Sequence, residues 1–471
     1  MTAPHQPTAP ELIDRSRLTG NQKQLIALTI VGNVAEFFDL FLIGFVILLL
    51  VDQPGWQLTG TQIGVIGAAS GVGTVIGAIL WGRLADTVGR KHAFISCIAV
   101  LTVFTAATVT VQPGQWLLLA GLRVGVCIGV GGLNITSVPY VQEFVPARQR
   151  GLLSGLTSVF IPLGLFLGAV ATATVGDAIG WRGLVALGCL PVLLMPWAAR
   201  VPESPRFLLS AGQRDRARAA YGWALEIPAG DIVLPGDSDR DRRQADSAAR
   251  RRAAGLAAVV TGQKKALAVV AAGSFCFLFG VFAIQSWGQL LMNKSFGMSA
   301  TAVGVAFMVA AVADIAGRFG CAWFSDRAGR RAALLIWGGL GAAGCLLSAA
   351  ATWLFAHGVL GQSTAGAVFF TGIVVTLGFG DGAFGILNAF GAEQFSTATR
   401  STGVGLGYGI GATAKIIGPY TVGVMVGGNP TAGQVTVPFV IFAALFTAGA
   451  LIYQLAEETR GQSLSDLGRK K

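Results

Sequence analysis

Seven ionisable side chains stand inside long apolar runs, where a charge must be paired, neutralised or used. Glu36 and Asp39 lie mid-way along GNVAEFFDLFLIG (32–44), three residues apart and therefore on one helical face. Arg123 sits in LRVGVCIG, Asp381 in GFGDGAFG and Lys415 in GYGIGATAKIIGP. Asp314 and Arg318 are spaced to satisfy each other, towards the edge of their run. Asp381 reads either as a cavity-lining group or as a partner for freed backbone. A lysine at the position of Lys415 needs an anion, which could be Asp381, Asp314 or a substrate carboxylate. The chemistry open to such a set is proton or sodium binding by carboxylates and anion binding by cations. No nucleophile–base constellation, metal-type cluster or phosphate loop accompanies them, so the chain does not read as an enzyme and implies no cofactor. Trp287, Phe37 and Phe38, with Gln285, Gln289 and Asn388, supply the aromatic and polar types of a mostly apolar binding site, or ordinary packing. His92 and His357 read as loop residues rather than proton relays.

These residues are set in a chain of 471 residues that is 53% hydrophobic and only 12% charged, with mean hydropathy +0.65. Such a chain cannot cover itself in water. Twelve runs are long enough to cross a bilayer, near 23–51, 60–82, 92–111, 115–140, 151–175, 182–200, 265–292, 301–323, 332–355, 364–391, 401–427 and 433–456. The six cysteines are scattered singly and read as apolar fillers. No cleavable leader is expected. The largest break between runs, 201–264, reads as a linker between two six-helix halves, or as a regulatory surface. The divisions are then 1–22, 23–200, 201–264, 265–456 and 457–471.

Of 34 Lys and Arg, only Arg182 and Lys294 fall in odd-numbered loops and only Arg123, Arg318 and Lys415 within runs. The asymmetry predicts both tails and the central loop in the cytoplasm, and it accounts for the +11 net charge without nucleic acid.

The chain also repeats itself. GRLADTVGRK (82–91) returns as AWFSDRAGRR (322–331), and EFVPARQRG (143–151) as EQFSTATRS (393–401). PESPRFL (202–208) answers EETRGQSL (457–464). Matched motifs on one membrane side imply parallel halves related by an axis along the membrane normal. In the first copy Gly82 allows close helix approach, Asp86 can accept from a helix N-terminus, Gly89 permits the reversal, and Arg90 and Lys91 hold the loop in the cytoplasm. Asp326, Gly329, Arg330 and Arg331 match them. With Glu143, Arg150, Glu393 and Arg400 they read as a gate whose pairing latches that face shut.

These motifs resemble the major facilitator superfamily over nearly the whole chain, and its sugar-porter-like branch through PESPRFL, RVGVCIGVGG, the Glu-to-Arg pairs and ETRGQSL. GNVAEFFDLFLIG resembles metabolite:proton symporters and organic-anion carriers. The resemblance implies an all-α fold of two pseudo-symmetric six-helix bundles, alternating access, a mid-membrane site among helices 1, 4, 7, 8, 10 and 11, and a monomer in the plasma or cytoplasmic membrane. It also implies that Asp39 pairs with Arg123. That pair reads as a proton switch, since the guanidinium favours the carboxylate and desolvation the neutral acid, or as a static ion pair. Glu36 is a second proton group or a structural partner.

Sugar porters carry glutamines in helix 5 and a double glutamine in helix 7. Here Ser158 and Leu165 hold the helix 5 places, and FCFLFGVFAIQSWGQLL lacks the pair. The substrate expected is a small organic acid, carried with protons. A sugar or polyol, or an organic cation or drug, follows behind it. A transporter-shaped nutrient receptor is the alternative of another class.

Overall fold

The computed structural model describes residues 7–146, 149, 160–234, 259–396 and 399–460, and the described residues that are not in turns and loops are helical. Among the described residues, eleven helices are long and apolar enough to cross a membrane, as a bilayer that hydrogen-bonds no backbone requires. The first four are α1 (Gly20–Leu50), α2 (Gly60–Val88), α3 (Arg90–Val109) and α4 (Trp116–Gln142). Ile161–Leu187 breaks at Gly180, where φ is +62°. We label its first part α5. The rest continues as α6 through a 3₁₀ turn, Leu190–Leu193, to Leu194–Arg200, which makes the twelfth crossing. The second half repeats the pattern with α7 (Lys264–Phe296), α8 (Ala300–Ala328), α9 (Arg330–Ala356), α10 (Gln362–Glu393), α11 (Thr402–Val426) and α12 (Ala432–Leu455). The fold is that of two six-helix bundles.

The described part of the central segment includes the short helices Pro205–Ser210 and Arg214–Leu225. The charged stretch 237–252 lies outside the described residues. Asn21 and Thr19 at the start of α1 hydrogen-bond the Trp223 and Ala224 carbonyls, which seats this segment against the first half.

The membrane faces are named here by their loops: the basic face carries the repeated motifs, and the far face lies opposite. The halves meet from the membrane centre to the far face. Phe41 of α1 packs on Phe282 of α7, and Phe45 on Phe307 of α8 with centroids 5.7 Å apart. Gly60 and Gly64 of α2 lie against Gly423 and Tyr420 of α11. Asp52 pairs with Lys294, and Thr301 donates to Asp177 at 3.2 Å.

One close approach inside the second half positions the site. α10 contains a π-helical turn, Thr376–Asp381, and its Gly378 carbonyl lies directly against Gly317 of α8. No side chain fits between them. Gly317→Ala should therefore destabilise by about 1–3 kcal/mol or more through overpacking. Thermal melting in detergent checks this, and an unchanged melting temperature contradicts it.

Candidate functional site

Asp39 and Arg123 come together at the centre of the first half, with Asp39 Oδ1 3.5 Å from Arg123 Nη1. Both are buried. Arg123 also donates from Nε to Ser70 Oγ at 2.9 Å, and from Nη2 to the carbonyls of Asp39 and Leu40 at 2.9 and 2.7 Å. Thr105 Oγ1 donates to Asp39 Oδ2 at 3.0 Å. The guanidinium thus grips the α1 backbone as well as the carboxylate. A cavity of about 20 Å³ adjoins the pair, lined by Asp39, Arg123, Thr105 and apolar residues. That is room for about one water molecule. Glu36 is buried one helical turn nearer the basic face, on the side of Cys97.

The second half holds a different arrangement. Arg318 donates from Nε to Asp314 Oδ1 at 2.9 Å and from Nη2 to Asp381 Oδ1 at 2.7 Å. Gln285 Nε2 of α7 donates to Asp381 Oδ2 at 2.9 Å. Asp314 and Arg318 do pair, but at the middle of α8 rather than near an edge, and Arg318 gathers Asp381 as well. Neither aspartate reaches Lys415: both are engaged with Arg318.

Lys415 is half-buried midway along α11. Its ammonium lies 4.5 Å from the centroid of Phe282 and 5.8 Å from that of Tyr408, distances at which an aromatic face attracts a cation. Among the described residues no carboxylate pairs with it. α11 breaks at Ala412–Thr413 just before it. Pro419, four residues on, cannot donate to its carbonyl.

The remaining sequence candidates fall around this centre or away from it. Gln289 is buried beside Gly44 of α1, and among the described residues neither its Nε2 nor its Oε1 has a partner. Trp287 donates from Nε1 to the Pro419 carbonyl at 2.9 Å, which makes it an α7–α11 packing residue. Phe38 is partly buried and packs on the core where α5 approaches, while Asn388 is exposed. Sequence reasoning missed Phe282, Tyr408, Ser70 and Thr105. Spacing carried a signal for the first two: Phe282 precedes Gln285 and Gln289 by three and seven residues, and Tyr408 precedes Lys415 by seven.

Residues 25–470 match the family model described as sugar (and other) transporter. The chain belongs to that family. It is a multi-pass membrane transporter of small metabolites. It is 27% identical over 441 residues to the niacin transporter NiaP of Acinetobacter baylyi, covering 93% of this chain and 94% of that protein. It is 28% identical over 451 residues to the 4-hydroxybenzoate transporter PcaK of Pseudomonas putida, again covering 93% and 94%. Its fold matches the E. coli xylose transporter XylE in a partially occluded inward-open conformation, with TM-score 0.72 and 16% identity over 94% of this chain and 100% of that one.

In this transporter the repeated turns build matching ion networks on the basic face. Gly89 and Gly329 both adopt φ +103°, which favours glycine. Arg90 pairs with Asp86 at 3.0 Å and reaches Glu143 at 3.5 Å; Arg330 pairs with Asp326 at 2.7 Å and reaches Glu393 at 3.8 Å. Ser204 and Thr459 donate to Glu143 and Glu393 respectively.

Two expectations are corrected here. The carboxylate that caps the helix start is not Asp86 but Glu203, which accepts from the Arg90 and Lys91 backbone at 2.9 and 3.0 Å; Glu458 accepts from Arg330 and Arg331 at 3.0 Å. Asp86, one turn before Arg90, is claimed by it instead. Among the described residues, the ion pairs of these two networks lie within their own halves. Gly82 makes only an ordinary contact, so it brings no helices close. Lys91 Nζ donates to the Ala199 carbonyl at the end of α6. Among the described residues Arg400 Nε and Nη2 find no hydrogen-bond partner, and Arg150 lies outside the described residues.

Burial pushes the Glu143 carboxyl up, against the pull of Ser204 and Arg90. At Glu458 burial pushes the same way, but four backbone N–H groups outweigh it and hold the carboxyl below its ordinary 4.5. A depressed carboxyl stabilises the fold above its unfolded value and loses that contribution as pH falls through the folded value. Glu458→Gln should therefore lower the melting temperature at neutral pH, and the difference should close below pH 4.5. A difference that persists unchanged in acid contradicts the capping role.

Proposed function

We propose that the protein is a proton-coupled carrier of small aromatic carboxylates, working by alternating access, with both tails and the central loop in the cytoplasm. The carrying observation is the Lys415 ammonium at mid-membrane, ringed by Phe282 and Tyr408 and unmatched by a carboxylate among the described residues. An aromatic acid supplies what this place lacks: an anion for the ammonium and an apolar ring for the aromatic wall. Gln289, with a buried amide wanting partners, is the polar group that would fix the ring's substituents. The relatives named for niacin and for 4-hydroxybenzoate support this reading, since both compounds are single-ring carboxylates.

Asp39, with Arg123 and Glu36, is the proton-coupling group in this proposal. Rocking of the bundles changes how closely Arg123 holds the carboxylate, and so whether a proton is bound. Glu36 lies on the cytoplasmic side of Asp39 and is placed to relay the proton. The charge networks around Arg90 and Arg330 set each bundle's cytoplasmic edge, and the chain works as a monomer.

The test is ligand-induced thermal stabilisation of purified protein with nicotinate, 4-hydroxybenzoate, nicotinamide, xylose and a quaternary amine. A ligand specific to the folded state raises stability by mass action. The two carboxylates should stabilise, and the neutral amide should not. Stabilisation by xylose alone, or by the amine alone, overturns the proposal.

A further inference from the structure

The C-terminal bundle contains an ion cluster whose charges do not balance. Asp314, Asp381 and Arg318 are all at least 95% buried, and two ionised carboxylates facing one guanidinium leave a net negative charge in the membrane interior. The geometry is more specific than that. Nε and Nη2 form one edge of the guanidinium, the edge that ordinarily receives both oxygens of a single carboxylate. Here it receives one oxygen from each of two carboxylates, at 2.9 and 2.7 Å, on helices α8 and α10. Oxygens docked side by side on one such edge lie within hydrogen-bonding reach of each other. Like charges so placed cannot both ionise in a dry site.

We propose that Asp314 and Asp381 form a second proton-binding site, in the C-terminal bundle, in which the two carboxyls share one proton on the edge of Arg318. With that proton the cluster is neutral. The proton belongs to the pair and not to either residue. The surroundings fit a site that changes with conformation. Asp381 ends the π-helical turn of α10, a feature that recurs at functional positions. Its other oxygen is held by Gln285, whose own Oε1 is buried without a partner among the described residues. Gln285 and Gln289, one turn apart, lie against Gly44 of α1, five residues beyond Asp39. Movement of the first bundle against α7 would therefore reach Asp381 through one hydrogen bond. Among the described residues, the other titratable groups facing the cluster are Tyr408 of α11, close enough to Arg318 to interact electrostatically, and Cys345 of α9, whose thiol meets Thr376 in the π turn.

This inference goes beyond the carrier reading, and its first test needs no substrate. Protein bearing Asp39→Asn is labelled isotopically at the aspartate side-chain carboxyl and examined by infrared spectroscopy near neutral pH. A label-shifted carbonyl stretch of a protonated carboxyl is expected, and adding either Asp314→Asn or Asp381→Asn should remove it. Exchange of potassium for sodium should leave the band in place. The absence of the band, its survival in both added variants, or its loss on adding sodium would each overturn the shared proton. If an added variant fails to fold, the band in the Asp39→Asn protein still decides. In proteoliposomes, the wild type should take up two protons per nicotinate and the Asp381→Asn variant one. A ratio of one in the wild type, where nicotinate is transported, confines coupling to the first bundle and overturns the second site.

Discussion

Asp39→Asn is expected to cut concentrative uptake sharply while sparing exchange. In proteoliposomes with an imposed pH gradient, the variant should take up one proton per nicotinate and accumulate far less substrate than the wild type, whereas counterflow in preloaded vesicles should continue. The expectation follows from the bonds around the residue. Asparagine keeps an acceptor for Thr105 and stays neutral in every conformation. Arg123 retains Ser70 and the carbonyls of Asp39 and Leu40, so the packing of α1, α2 and α4 survives the change. What disappears is a group able to be charged in one conformation and neutral in another. Full accumulation by this variant would show that Asp39 and Arg123 are a static pair.

The second large effect is at Lys415. Lys415→Ala should weaken binding of nicotinate or 4-hydroxybenzoate about tenfold to a hundredfold, since a hydrogen bond to a charged group contributes about 1.5–3 kcal/mol. Removing the ammonium leaves no buried carboxylate stranded, because Asp314 and Asp381 answer to Arg318. Stability should therefore hold or rise, and the loss should appear in affinity. Lys415→Arg keeps the charge and should recover part of it. An Ala variant with unchanged affinity but a lower melting temperature would make the lysine structural.

The membrane-spanning framework was legible in the sequence because hydrocarbon imposes long apolar runs and leaves few places for charge. The weakest span is the sixth. It begins where Gly180 turns the chain and is interrupted by a 3₁₀ turn through Pro191, so neither of its pieces is a long apolar helix. The Asp39 and Arg123 pairing was legible through family resemblance, since the residues are 84 positions apart and nothing local joins them. Spacing could not reveal Arg318 as a hub. Its neighbour Asp314 satisfies a local rule, and the decisive partner is 63 residues away on a helix whose π turn re-aims it. The capping glutamates were missed for the opposite reason: Asp86 sits inside the conspicuous turn, and Glu203 arrives from the end of α6. The cation–aromatic wall at Lys415 was only half visible, because Phe282 belongs to another helix of the same bundle and comes close only once α7 packs against α11.

The central claim is that a proton gradient drives a small aromatic acid through this protein, and one measurement bears on it most directly. Purified protein in proteoliposomes is given labelled nicotinate or 4-hydroxybenzoate with the outside more acidic than the inside. The account predicts accumulation above the external concentration, lost when a protonophore collapses the gradient, and proton entry that follows substrate entry. Uptake of neither acid, or equal uptake with and without the gradient, would contradict it.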